Sequence, residues 1–90
     1  MGRAVITAPG LSVPRYFFDL RDGERFTRDD EGTELDGVEG ARREAARTLA
    51  QMGKDVLPEA VHRELALEVR TEGPEPLLRA VLVYHVEVLA

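Results

Sequence analysis

One segment of the chain, Asp36 to Leu57, spaces its apolar residues three and four apart, and on both sides of it the repeat changes to two. Val38, Ala41, Ala45, Leu49, Met52 and Val56 draw a single stripe, with Arg42, Arg43, Glu44, Arg47 and Gln51 largely off it. Asp36, followed three residues later by Glu39, has the form of a capping box and starts the helix. Gly53 weakens the last turn and Pro58 disfavours helical geometry at Leu57, so the helix ends between them. A lone helix with one apolar stripe needs a sheet to receive it. The fold class expected is α+β, in the order ββαββ: a four-stranded antiparallel sheet of two hairpins with the helix packed on one face.

The first hairpin is carried by the aromatic run Tyr16, Phe17, Phe18, Asp19 and Leu20, which ends at Asp22-Gly23. That pair suits the positive φ angles of a type I′ turn. With Asp22 and Gly23 as the loop, Arg21 faces Glu24, Leu20 faces Arg25, Asp19 faces Phe26 and Phe18 faces Thr27. Alternation then puts Tyr16, Phe18 and Leu20 on one face, taken as the helix face, and Phe17 and Phe26 on the other; the inverted hairpin, with Phe17 and Phe26 in the core and Phe18 outward, is the alternative. Asp29, Asp30, Glu31 and Glu34 read as a solvated acidic loop around Gly32 leading to the helix; their spacing does not match the calcium-binding loop.

The second hairpin joins Arg63–Thr71, where Leu65, Leu67 and Val69 alternate with Glu64, Glu68 and Arg70, to the run from Leu77 to Val88. Setting Arg70 opposite Leu77 brings Val69 to Leu78, Leu67 to Ala80, Leu65 to Leu82 and Glu68 to Arg79. Core meets core in this register, and charge meets charge. It also sets His62 opposite His85, with Glu64 and Glu87 two residues along on the same side. The first and last strands are tried as the central pair, an order the pattern does not fix.

Ninety residues hold one domain, expected at 14–90 behind a flexible leader at 1–13 that makes a poor signal peptide. The absence of cysteine excludes disulfides and thiolate metal sites. No run approaches the roughly 20 apolar residues of a membrane span, and a cytoplasmic chain is expected. A net charge of −5 speaks against nonspecific binding to nucleic acid or anionic membrane, although the balanced helix leaves room for a local basic face.

From Pro14 the chain resembles a small bacterial domain family of unknown function whose members begin with Pro-Arg-Tyr-Phe-Phe, as at Pro14 to Phe18 here. Asp22-Gly23, the Asp30-Glu31-Gly32 turn with Glu34-Leu35, the Ala- and Arg-rich helix at Ala41 to Ala46 and the closing hairpin also match. These landmarks are structural, and the family brings no activity with it. A looser similarity runs to the amino-terminal, double-stranded-RNA-binding-like domain of HicB-type antitoxins, where a sheet precedes a helix. The chain is expected to depart from that pattern, with neither a third strand before the helix nor a DNA-binding segment after the last strand.

Candidate sites divide by chemistry. His62, His85, Glu64 and Glu87 carry ordinary zinc donors, if the register brings them together. Arg42, Arg43 and Arg47 form a basic stripe for phosphate, and Tyr16, Phe17, Phe18 and Tyr84 offer rings for stacking; pairing of Arg43 with Glu39 and Arg47 with Glu44 is the simpler account of the arginines. No nucleophile stands with a base, no Gly-rich phosphate loop is present, and neither an enzyme nor a cofactor is expected. Phe17, Phe26, Val81 and Val83 lie on the face away from the helix, which one helix cannot cover. They make the expected interface of a noncatalytic module that self-associates, as a dimer, through a sheet face or an edge strand. The alternatives are an antitoxin-like domain binding nucleic acid or a toxin partner, and a metal-binding module.

Overall fold

In a computed structural model, which describes residues 14–90, the aromatic run becomes β1 (Arg15–Asp22) and is followed by β2 (Arg25–Thr27) and a two-residue β3 (Thr33–Glu34). The helix α1 (Gly37–Val56) continues into a 3₁₀ turn at Leu57–Glu59, and β4 (His62–Arg70) and β5 (Pro76–His85) complete the chain order. The expected leader, 1–13, lies outside the described residues. The class is α+β with one helix and an antiparallel sheet, and β3 is the strand the sequence pattern does not reveal.

The sheet order is β2-β1-β4-β5, with β3 paired to β1. The first and fourth strands are therefore central, and the trial order fails because among the described residues β5 pairs only with β4. A central strand must find apolar cover and backbone partners on both sides, and β4, with Leu65, Leu67 and Val69 fully buried, meets that demand best. Burying each of these side chains is worth about 1.5–3 kcal/mol.

The second hairpin has the expected register from His62↔His85 to Val69↔Leu78. At Arg70 a bulge shifts the partner from Leu77 to Pro76, a place where a residue without an N–H costs no ladder bond. The first hairpin is offset from expectation: the pairs are Asp22↔Arg25, Arg21↔Phe26 and Leu20↔Thr27, so the turn sits at Gly23-Glu24. Gly23 has φ +63° and among the described residues no non-glycine residue is left-handed, Glu24 included, which excludes the type I′ form. Asp22 stays in the strand because Arg63 grips its carboxylate through two hydrogen bonds of 2.8 Å. The offset preserves parity, so Phe17 and Phe26 keep the face expected.

On the helix face, Ala41, Ala45 and Leu49 pack with Tyr16, Leu65, Leu67 and Val69, and Phe18, Leu20, Leu78, Ala80 and Leu82 flank them. The stripe holds except at Val38, which is exposed in the first turn, and at Gly53, which is buried. A Cβ on Gly53 would sit 3.1 Å from a Leu82 methyl, so this glycine lets the helix end close onto β5. Asp36 holds the N-cap position but makes no side-chain cap hydrogen bond, and Glu39 pairs forward with Arg42 at 2.7 Å.

Candidate functional site

The two margins of the sheet are built differently. Along the outer side of β1, five residues, Arg28 to Gly32, stand opposite three, Phe17 to Asp19, so the strand that begins as β2 must leave the sheet before it returns as β3. Asp29 fills the gap. Its Oδ2 accepts the Phe18 N–H at 3.0 Å, while its Oδ1 accepts the N–H groups of Glu31 and Gly32 at 3.0 and 3.1 Å. A backbone donor that a neighbouring strand would otherwise take is thus satisfied by a side chain.

The same loop closes over a buried ion pair on the face away from the helix. Arg70 donates to Asp19 through Nε (2.8 Å) and Nη2 (3.3 Å), and to the carbonyls of Asp29 (2.9 Å) and Thr71 (3.3 Å). Asp19 also accepts the Asp29 N–H at 2.9 Å, and the Arg70 guanidinium lies 4.7 Å from the centre of the Phe17 ring. Burial pushes the Asp19 carboxyl up, but the hydrogen bonds from Arg70 and Asp29 outweigh it and leave the group below its usual value. Burial likewise opposes the three backbone donors at Asp29, which prevail. The expected solvated acidic loop is therefore corrected at Asp29, which is half-buried and structural.

Further along this face the surface is ionic. Arg21 and Arg79 both reach Oε2 of Glu68, at 3.4 and 3.3 Å, and Arg21 also stacks 4.6 Å from the centre of the Phe26 ring. The four residues proposed from sequence as an interface are thereby divided. Phe17 is half-buried under Arg70, and Phe26 (47 % exposed) stands at the β2 margin. Val81 (46 %) and Val83 (57 %) stand together on β5.

The β5 margin carries none of the devices of the other. Among the described residues no strand pairs with its outer side. The N–H of Val86 donates to the Val61 carbonyl at 2.9 Å, which fixes the phase of the ladder: even-numbered residues of β5 bond inward to β4. Arg79, Val81, Val83 and His85 therefore turn their backbone N–H and C=O groups outward. Beside this margin, on the helix side, Ala50, Gly53, Lys54, Leu57, Pro58, Leu82 and Tyr84 line an open, mainly apolar groove of about 470 Å³.

The remaining candidates separate. His62 and His85 face each other edge to face, 5.6 Å between ring centres, and His85 lies 3.7 Å from Glu87. Glu64 and Glu87 do not complete a donor set with them: among the described residues no group of three or more His, Asp or Glu side chains is placed to hold a metal. On the outer face of α1, Arg42 pairs with Glu39 and Arg47 with Glu44, and Arg43 is exposed. Tyr16 is buried in the core and Phe18 packs against it, so neither ring is presented for stacking. No helix among the described residues is long and apolar enough to cross a membrane.

Sequence reasoning missed Asp19, Asp29 and Arg70 as a unit. A charged residue inside an aromatic strand, and an Asp three residues before a glycine, were the available signals.

Residues 15–83 match the model of a family described as a domain of unknown function, DUF6894. No curated protein and no solved structure matches the chain.

Proposed function

We propose that this chain, which belongs to that family of domains of unknown function, is a noncatalytic interaction module that self-associates by adding the β5 margin of one copy to that of another. The observation that carries the reading is the contrast between the two margins. One is broken into three- and two-residue strands and sealed by Asp29; the other is a ten-residue strand with outward backbone groups and apolar side chains. Proteins blunt long edges with charged side chains, proline, bulges or covering loops; β5 has a proline and a bulge only at its start and one charged residue, Arg79, so Ala80 to Tyr84 carry none of these.

Pairing of two such edges satisfies backbone groups at about 0.5–1.5 kcal/mol each. The apolar groove beside Leu82 and Tyr84 adds surface that a second copy would remove from water. The ionic middle of the open face, with Arg21 and Arg79 on Glu68, favours the edge over the face as the contact.

Light scattering over a range of concentrations tests this. The chain is expected to reach a dimer, Val83→Lys to remain a monomer with unchanged circular dichroism, and Phe26→Ser, at the opposite margin, to dimerise as before. A chain that stays monomeric at about 1 mM, or a dimer indifferent to Val83→Lys, overturns the reading.

A further inference from the structure

We infer that two copies pair antiparallel in a single register, with Val83 on the twofold axis and Arg79 of each copy opposite Glu87 of the partner subunit; this rests on the self-association proposed above. Antiparallel pairing of a strand with itself about an axis normal to the sheet keeps both faces in place. Helix-side residues then meet helix-side residues, and the outward-turned Arg79, Val81, Val83 and His85 supply the bonded positions. Symmetry leaves only the choice of centre.

The charges make that choice. Arg79 in β5 and Glu87, two residues past its end, are the one permanent cation and the one anion between Leu77 and Leu89; Glu87 lies on the open side with His85, 3.7 Å from its Nε2. Centring on Val81 sets Arg79 against Val83, without a partner charge, and Glu87 against Glu75, a like-charged pair. Centring on Leu82 sets Glu87 against Leu77, and centring on Tyr84 sets it against Val81. Centring on Val83 alone joins Arg79 to Glu87, and symmetry does so twice.

The apolar residues agree with the same centre. On the helix side Leu82 meets Tyr84, Ala80 meets Val86 and Leu78 meets Val88; on the open side Val83 meets Val83. Leu82 and Tyr84 are also the strand residues that line the apolar groove, so each groove lies at the axis and is walled by the other copy. Val88, 86 % exposed in the single chain, gains Leu78 as a neighbour. Arg79 already holds Glu68 through Nε, and its remaining guanidinium donors are available to a second carboxylate.

The chain has no cysteine, so single cysteines report unambiguously. Val83→Cys is expected to form a disulfide-linked dimer under mild oxidation, because directly opposed residues at the axis stand roughly 5.5 Å apart between Cα atoms, within disulfide range. Val81→Cys alone should not cross-link, whereas an equal mixture of Val81→Cys and His85→Cys should. Arg79→Glu and Glu87→Arg, each alone, should weaken association roughly tenfold, since two like-charged contacts replace two attractive ones. Mixing those two variants should restore it as a heterodimer, in which both contacts are again of opposite sign. A dimer in which Val83→Cys fails to cross-link, or in which mixing restores nothing, overturns the register and leaves edge pairing standing. A monomeric chain overturns both.

Discussion

Asp19 and Arg70 meet diagonally across the two central strands, Nε to Oδ2 at 2.8 Å, with side chains 8 % and 5 % exposed. Such a pair is held by its partners: each guanidinium nitrogen and each carboxylate oxygen makes a hydrogen bond, and among the described residues no buried side-chain nitrogen or oxygen lacks one. Removing one member leaves an uncompensated buried charge. Arg70→Ala is therefore expected to cost about 3–5 kcal/mol, and the Asp19→Ala, Arg70→Ala double variant less than the sum of the two singles. Urea denaturation of the four proteins measures this, and strict additivity would contradict it.

The pH dependence of stability follows from three carboxyls. Asp22 is held low by the Arg63 hydrogen bonds, and Asp19 and Asp29 are low despite their burial, for the reasons given above. A folded value below the ordinary 3.8 means that the stabilisation is complete above that pH and is lost as pH falls through the lowered values. Urea midpoints should thus fall steeply from about pH 4 downward, and the fall should be shallower in Asp19→Asn, which has one such carboxyl fewer.

Two glycines separate backbone strain from packing. Gly23 and Gly32 are both left-handed, at φ +63° and +74°, but a Cβ at Gly23 meets nothing while one at Gly32 lies 2.8 Å from Arg15 Cγ and 2.9 Å from Phe17 Cε2. Gly23→Ala should cost about 1–2 kcal/mol for the conformation alone. Gly32→Ala should cost that and about 1–3 kcal/mol more for the crowding. Equal melting temperatures for the two variants would show that the Asp29 loop is not packed on Phe17.

Amide exchange along β5 should alternate. Leu78, Ala80 and Leu82 bond inward and should be protected, while Val81, Val83 and His85 should exchange freely in dilute protein. At concentrations where copies associate, the second set should slow by roughly 100-fold or more. Exchange of Val83 that ignores concentration would count against pairing along this strand.

Much of this architecture was legible in local pattern. The helix, the β4–β5 register with His62 opposite His85, and the alternation from Tyr16 to Leu20 follow from spacings of two, three and four, which depend only on backbone geometry, whereas the pattern left open which side of that strand meets the helix. What local pattern missed was set by contacts distant in sequence. Arg63 lies 41 residues from Asp22 and moved the first turn by holding that aspartate in the strand. Arg70 lies 51 residues from Asp19 and turned an apparently solvated strand end into a buried centre. The candidate surface shows the same division: Val81 and Val83 could be placed on the open face from parity, but only the strand order put them on a margin and sent Phe17 and Phe26 elsewhere.

Under the proposed edge pairing, the carboxylate of Asp29 would also bear on stoichiometry. By occupying the amide of Phe18 it would deny a second copy that rung of a ladder, so that pairing would be confined to the β5 side. A building block with two receptive sides would concatenate into a filament; one with a single side is used up by its first union, and growth halts at a pair.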